Sequence, residues 1–169
     1  MIPEFRNAGP SDAEALAELG RRSFVETFGH LYTAEDLAMF LANHSATSWE
    51  QELADSAFAI RIGEAGGEAV AYAKLGPPRL PFEPRGKAVE LRQFYVLSDW
   101  HGSGVAGELM RWVLETARLR GGDDLYLSVF VDNARARAFY AKYGFVEEGR
   151  YAFMVGTHAD EDIVMRLAL

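Results

Sequence analysis

Hydrophobic residues recur with two periods along the first third of the chain, and these periods predict where strands and helices lie. A weak alternation over residues 2–8 predicts a first strand, and helical spacing follows it. Ser11, with Glu14 three residues later, predicts that this helix begins with a capping box. Thr33 is predicted to start a second, shorter helix. The apolar positions of the first helix are Leu16, Leu19, Phe24 and Phe28.

The pattern in the middle of the chain predicts three strands, with a loop between the second and the third. Alternating segments at 56–64 and 69–76 flank a turn with two adjacent glycines, which predicts a hairpin. The proline-rich stretch 77–87 cannot form regular structure and is predicted to be a loop. Residues 88–97 then form the next strand.

The second half alternates strands with helices before it ends in two strands. Apolar residues at helical spacing predict a helix over 104–120, a strand follows at 124–130, and a short helix covers 133–143. A strand, a helix and a further strand at this spacing form a parallel pair joined by a right-handed crossover. The remaining segments pair antiparallel, including the last two strands, at 145–155 and 160–167. We therefore expect a mixed α/β fold: a mostly antiparallel sheet with one central parallel pair and helices on its faces.

Length and composition restrict the class of protein. The chain has 169 residues, of which 49% are hydrophobic and 25% charged, as expected for one globular domain spanning residues 1–169. No apolar run is long enough to span a bilayer, and the first residues lack the features of a signal peptide. We expect a cytoplasmic protein that does not bind membranes.

Charge and residue usage remove further possibilities. The net charge of −8 argues against nonspecific binding of nucleic acid and suits a cationic substrate. The absence of cysteine excludes disulfides, thiolate metal sites and a cysteine nucleophile. The four histidines show no metal-ligand spacing, so we expect no metal.

A glycine-rich stretch precedes the helix at 104–120. Gly102, Gly104 and Gly107 match the dinucleotide fingerprint G-x-G-x-x-G. That fold needs the first glycine directly at the end of a strand, yet five residues separate Val96 from Gly102, and only one clear strand–helix unit is present. Glycines that lead into a helix leave several backbone N–H groups unpaired and pointing outward, where they favour a phosphate. A tight entry to the helix without any ligand would need the same glycines.

Two longer segments decide between these alternatives. Residues 89–110 and 129–155 resemble the acyl-CoA-binding core of the GCN5-related N-acetyltransferases (GNAT), whose loop reads Arg/Gln-x-x-Gly-x-Gly/Ala. The family's downstream motif is Asn-x-x-Ala-x-x-Phe-Tyr-x-x-x-Gly-Phe, which matches Asn133, Ala136, Phe139, Tyr140, Gly144 and Phe145 without gaps. The loop departs from the family only at His101, which stands where Arg or Gln is usual.

The resemblance implies a GNAT fold and direct transfer of an acetyl group from acetyl-CoA to a primary amine. It assigns donor binding to backbone groups of two strand residues, to the loop and to residues near the next helix. These are Tyr95, Val96, His101, Gly102, Ser103, Gly104, Val105, Ala106, Asn133 and Tyr140. Asn133 also suits the N-cap position of its helix.

The same resemblance suggests which residues carry out the chemistry. Tyr140 is expected to donate a hydrogen bond to the leaving sulfur, although its helical spacing also suits the core. Glu90 is expected to remove the proton of the amine, with Glu26 or a water relay as alternatives; an edge position facing solvent would explain Glu90 equally well. Phe28 and Tyr32 are expected to line the acceptor side.

The acceptor itself is suggested by weaker matches near both ends. Residues 26–41 and 151–167 resemble the polyamine (spermidine/spermine) acetyltransferase branch of the family. The small-molecule acceptor would then be a polyamine, and a homodimer would be compatible with the family. The alternatives are a protein N-terminus, an amino acid or an antibiotic as acceptor, and a noncatalytic acyl-CoA-binding module.

Overall fold

The computed structural model describes residues 2–81 and 83–169; Met1 and Phe82, the latter within the predicted loop, lie outside the described residues. The helices are α1 (Ala13–Phe28), α2 (Ala34–Leu41), α3 (Ala46–Ala54), α4 (Val105–Leu119) and α5 (Ala134–Lys142). The strands are β1 (Glu4–Asn7), β2 (Ala59–Ala65), β3 (Glu68–Gly76), β4 (Ala88–Val96), β5 (Asp124–Phe130), β6 (Val146–Val155) and β7 (His158–Ala168). Of the described helices, none is both long and apolar enough to cross a membrane.

The strands form one seven-stranded sheet in the order β1-β2-β3-β4-β5-β7-β6. Every neighbouring pair is antiparallel except β4 and β5, which are parallel. This pairing joins residues 88–90 to residues 124–126, after which the two strands diverge toward their C-terminal ends. The predicted mixed sheet with one central parallel pair is confirmed, and the divergence opens a gap in its middle.

Helices cover both faces of the sheet, as the apolar pattern requires. On one face α4 packs across β2, β3 and β4 through Val105, Leu109 and Val113, which are fully or almost fully buried. These positions repeat every four residues and so form one stripe along the helix. On the other face α1 packs against α3 and β3, with Leu16 fully buried. The gap between β4 and β5 therefore connects two covered faces.

The start of α1 differs from the prediction. Asp12, and not Ser11, occupies the N-cap position, and its carboxylate accepts hydrogen bonds from the Gly9 amide (2.7 Å) and the Arg6 guanidinium (2.7 and 2.8 Å). The predicted capping box between Ser11 and Glu14 was therefore wrong. A preceding 3₁₀ turn over Pro10–Asp12 moves the first helical residue to Ala13. The arginine on β1 favours this arrangement, because it gives the buried carboxylate a cationic partner.

Helix α3 was missed by the sequence analysis. Ser45 caps it by accepting a hydrogen bond from the Ser48 amide, and Trp49 is its one buried residue. A helix of nine residues with a single buried anchor shows almost no periodicity. The other predicted caps are confirmed: the Thr33 side chain accepts from the Asp36 amide, and the Asn133 side chain accepts from the Ala136 amide.

Candidate functional site

A cavity of about 1020 Å³ occupies the gap between β4 and β5 and extends to both faces of the sheet. It has the size and the mixed aromatic and polar lining of a small-molecule site. Most of the residues that the sequence analysis selected contribute to its wall. Those residues are Phe28, Tyr32, Glu90, Tyr95, Val96, His101, Gly102, Gly104, Ala106, Asn133 and Tyr140.

The glycine-rich loop leaves backbone donors pointing away from the protein at the start of α4. Gly102 (φ 75°) and Gly104 (φ 91°) adopt left-handed conformations, and an added Cβ at either would meet no atom within 4 Å. Within the described chain, the N–H groups of Gly102, Gly104, Ala106 and Gly107 donate no hydrogen bond to backbone or side chain. Unpaired amides at the N-terminus of a 15-residue helix form an anion-binding site.

Two residues of the predicted loop support it from outside the cavity wall. The Ser103 hydroxyl donates to the Trp100 carbonyl and lies 3.4 Å from the Val105 amide. Val105 is only 2% exposed and anchors the first turn of α4 in the core. Their contribution to anion binding would therefore come from holding the loop in shape.

The pairing of β4 determines which backbone groups face the gap. The amide of Leu97 donates to the Val70 carbonyl on β3, and Tyr95, two residues earlier, pairs with Tyr72 on the same strand. Backbone groups alternate between the two edges of a strand, so those of Tyr95 face β3, whereas those of Phe94 and Val96 face the gap. Of the two predicted residues, Val96 thus presents its backbone to the gap. Tyr95 contributes its side chain to the cavity instead.

The His101 side chain forms a hydrogen bond with this strand. Its Nε2 donates to the Val96 carbonyl oxygen at 3.0 Å, which connects the loop to the end of β4. A carbonyl oxygen has two lone pairs, so Val96 can accept a second hydrogen bond from a ligand. The one departure from the family's loop pattern therefore has a structural role.

Tyr140 lies in the gap between β4 and β5. Its ring packs against Phe94, Phe139 and Phe145, and the residue is only 8% exposed. Burial raises the pKa of the phenol well above its ordinary value, so the hydroxyl keeps its proton at neutral pH. No partner for this hydroxyl occurs within the described residues. The arrangement supplies a buried hydrogen-bond donor to whatever occupies the gap.

Glu90 lies at the closed end of the gap, where β4 and β5 still pair. One carboxylate oxygen accepts from the amides of Arg79 (2.8 Å) and Leu80 (3.1 Å). The other oxygen lies 3.5 Å from Nε of Arg92. Through these hydrogen bonds Glu90 holds the loop after β3 in place against the sheet. Glu26, the predicted alternative base, accepts from the Ser98 amide at 3.3 Å, and it is not among the described residues that line the cavity.

The half of the cavity on the α1 face is aromatic with two buried carboxylates. Tyr32 stacks on Phe24 and donates to Asp160, whose other oxygen is 3.1 Å from Nε2 of His158. Asp160 and Asp162 are two residues apart on β7, so both side chains point to the same face of the sheet. They are 7% and 6% exposed. Other aromatic rings complete this wall, among them Phe28, Phe40, Phe130, Tyr151 and Phe153.

Asp162 has the environment of a functional carboxylate. Burial, followed by the neighbouring charge of Asp160, raises its pKa to about 6, and a hydrogen bond from Ser128 opposes the rise. The Ser128 hydroxyl in turn accepts from the Tyr151 hydroxyl at 2.9 Å. Perturbed carboxylates inside a cavity are frequent at functional sites.

These two carboxylates were not predicted from the sequence. The alternation over residues 160–167 places Asp160, Asp162 and Val164 on one face of β7, opposite Ile163 and Met165. Without knowledge of the helices above it, that polar face reads as exposed to solvent.

Comparison with known proteins identifies relatives of this chain. Residues 14–145 match the sequence profile of the acetyltransferase (GNAT) family. An uncharacterised N-acetyltransferase of Mycobacterium tuberculosis is 35% identical over 156 residues, which cover 92% of this chain and 96% of that protein. An L-methionine sulfoximine/L-methionine sulfone acetyltransferase of Pseudomonas aeruginosa is 31% identical over 152 residues, covering 89% of this chain and 84% of that one.

A solved structure shares the whole fold. The crystal structure of the PaiA N-acetyltransferase from Thermoplasma acidophilum, in complex with coenzyme A, superposes with a TM-score of 0.81 and covers 100% of both chains. The two sequences are 19% identical, so this likeness shows the fold alone.

Proposed function

Because the chain belongs to the GNAT family of N-acetyltransferases, we propose that it transfers the acetyl group of acetyl-CoA directly to the primary amine of a small molecule. The observation that carries the proposal is a single cavity with an anion-binding loop at one side of the sheet and buried carboxylates at the other. A homodimer, which would be compatible with the family, stays a prediction.

The residues at the open end of the gap fit the acyl donor. The free amides of Gly102, Gly104, Ala106 and Gly107 would bind its pyrophosphate, since glycine lets phosphate approach the backbone closely. The backbone groups of Val96 that face the gap would hydrogen-bond the amides of its pantetheine arm, and Asn133 would contact it at the end of β5. When bound, the donor supplies an activated acetyl thioester. A protein with the same fold has been crystallised in complex with coenzyme A, which supports coenzyme A as the donor.

Tyr140 would act on the leaving group. Because the buried phenol has a raised pKa, it is a poor proton donor but a lasting hydrogen-bond donor. A hydrogen bond to the departing sulfur stabilises the negative charge that develops there. This favours the donor role over full proton transfer.

Removal of a proton from the acceptor requires a base. An amine with the ordinary pKa of about 10.4 must give up a proton at a cost of about 4.6 kcal/mol at pH 7. The family resemblance assigns this step to Glu90, and Asp162 is a second carboxylate that lines the cavity. Desolvation inside the cavity lowers the pKa of a bound ammonium and so reduces this cost.

A polyamine is the acceptor that the charges favour. Asp160 and Asp162 are buried in the acceptor half, and neither forms an ion pair with a described lysine or arginine. Buried charge is stabilised by an opposite charge, which an ammonium group supplies. The surrounding aromatic rings also attract cations and pack against methylene groups. The net charge of −8 would attract such a substrate from solution.

An amino acid is the second candidate acceptor. The relative from Pseudomonas aeruginosa is named for its action on L-methionine sulfoximine and L-methionine sulfone, which are amino acid derivatives. In this chain Arg79 lines the cavity, and its guanidinium forms no ion pair within the described residues. Arg79 would supply the positive charge that binds a carboxylate.

Acetylation of a panel of amines separates these acceptors. Release of CoA thiol is followed with spermidine, spermine and putrescine, with methionine sulfone and standard L-amino acids, and with a peptide bearing a free N-terminus. We expect turnover with at least one small-molecule amine, confirmed by the mass of its acetylated product. A polyamine as best substrate supports the first candidate; an amino acid whose KM rises in Arg79→Gln supports the second. Acetyl-CoA binding without turnover of any amine would contradict the proposal and indicate a binding module.

A further inference from the structure

Two of the carboxylates that line the cavity, Glu90 and Asp162, stand at different positions relative to the gap. Glu90 pairs with Tyr126 on β5, whereas Asp162 on β7 pairs with Phe130 on the same strand. Tyr126 and Phe130 are four residues apart on β5. Glu90 and Asp162 are therefore separated by about 13 Å along the strand direction, at about 3.3 Å per residue. Glu90 therefore lies where β4 and β5 are still paired, and Asp162 lies where they have diverged and the gap is open.

Glu90 has few lone pairs left for an ammonium group. The backbone amides of Arg79 and Leu80 occupy one oxygen, and the Arg92 guanidinium lies 3.5 Å from the other. An approaching ammonium would have to displace a backbone donor or lie beside a positive charge. These contacts suit a residue that positions the loop after β3.

Asp162 has the opposite surroundings. It is 6% exposed, it lines the cavity, and within the described chain no ion pair links it to a lysine, arginine or histidine. Ser128 is its hydrogen-bond donor, and Tyr151 donates to Ser128 in turn. We infer that Asp162, and not Glu90, accepts the proton of the acceptor ammonium, an inference that rests on the proposed acetyl transfer.

The step balances in protons and electrons. The ammonium R–NH₃⁺ gives one proton to the Asp162 carboxylate, and the freed lone pair forms the C–N bond with the thioester carbonyl carbon. The C–S bond breaks with its electron pair on sulfur, which Tyr140 stabilises by a hydrogen bond. The second proton leaves nitrogen and neutralises the thiolate, while Asp162 returns its proton to water.

The ionisation of Asp162 suits this role. Burial and the charge of Asp160 raise the pKa of Asp162 to about 6, so it is mostly ionised at pH 7 but still able to take a proton. Tyr95 and Tyr151 face Asp162 from β4 and β6, and burial raises the pKa of each to about 12, so both stay neutral. Tyr32 and His158 reach the neighbouring Asp160. The base is active above a pH of about 6 and is lost as pH falls through that value.

The pH dependence of kcat/KM tests this inference, measured with the best acceptor of the wild-type protein. The wild type should lose activity tenfold per pH unit below about pH 6. This fall in kcat/KM below about pH 6 is the acidic limb of the pH profile. Asp162→Asn should lower kcat/KM by about 10²-fold at pH 7.5 and abolish the acidic limb. Glu90→Gln should lower activity but retain the limb at the same pH.

Two further variants move the limb in opposite directions, which a merely structural role would not do. Asp160→Asn removes the charge that raises the pKa of Asp162 and should shift the limb to lower pH. Ser128→Ala removes the hydrogen bond that lowers the pKa and should shift it to higher pH. His30→Gln, at an exposed side chain outside the cavity wall, should leave it in place.

Four outcomes would overturn the inference. An acidic limb that persists in Asp162→Asn, or one that Glu90→Gln removes, would each assign the proton to another group. A limb that stays in place in both Asp160→Asn and Ser128→Ala would do the same. Wild-type protein that acetylates no amine would overturn the proposed function itself, and the inference with it.

Discussion

Replacing Tyr140 with phenylalanine should lower kcat by about 10²- to 10³-fold while the affinity for CoA changes little. The hydroxyl has no protein partner within the described residues, so its removal leaves no other group unpaired. The ring contacts with Phe94, Phe139 and Phe145 are retained in phenylalanine. The loss is then that of one hydrogen bond to the charge that forms on sulfur, which is worth about 3–4 kcal/mol in buried sites. Single-turnover acetyl transfer at saturating donor measures it.

A second buried tyrosine serves as the control. Tyr72 is fully buried and does not line the cavity, and its hydroxyl donates at 3.0 Å to Gln93, which does line it. Tyr72→Phe should cost about 1 kcal/mol of stability with less than a fewfold change in kcat. Equal rates for Tyr140→Phe and wild type would show that Tyr140 serves only to pack the gap.

Replacing Gly104 with aspartate should weaken CoA binding by about 10²- to 10³-fold. Aspartate tolerates the left-handed backbone at φ 91° better than most residues, so the loop keeps its conformation. Its carboxylate would point into the space where the free amides face the pyrophosphate. Two like charges about 4 Å apart near a protein surface repel by about 1–4 kcal/mol, depending on the local dielectric. Calorimetric titration with CoA measures the change in Kd.

Two matched variants separate charge from backbone strain. Gly104→Asn has nearly the same shape as the aspartate but no charge, so its Kd should rise much less. Gly121→Asp introduces the same residue at φ 75°, beyond the C-terminus of α4, and should bind CoA as the wild type does. If the Gly104→Asp and Gly121→Asp proteins have the same Kd for CoA, the loop is not the phosphate site.

The central part of the fold could be predicted because its signals are local and strong. The apolar stripe of α4 fixed that helix to within one residue at each end, as Val105–Leu119 against the predicted 104–120. A strand, a long helix and a second strand in succession permit few arrangements, and the parallel pair of β4 and β5 follows from them. The glycines before α4 marked the loop, because a left-handed backbone at Gly102 and Gly104 excludes most other residues.

The parts that the sequence could not supply depend on contacts between distant residues. The N-cap at Asp12 is decided by Arg6 on β1, so Ser11 was an equally good choice when only local spacing was considered. Asp160 and Asp162 are buried because Tyr32, which follows α1, contacts Asp160, and because α2 packs on the neighbouring strand β6. Likewise, only the register of β3 and β4 shows that Val96, rather than Tyr95, presents its backbone to the gap.

The proposed donor and acceptor sites lie on opposite sides of one gap, so direct transfer makes a kinetic prediction. The donor would enter along the loop before α4 and the acceptor from the face covered by α1, so both would be present when the acetyl group moves. The chain has no cysteine to carry the group in between.

Initial rates at several fixed concentrations of acetyl-CoA and acceptor test this most directly. Direct transfer in a ternary complex predicts double-reciprocal lines that intersect. Parallel lines, together with an acetylated protein isolated in the absence of acceptor, would indicate a covalent intermediate and contradict direct transfer.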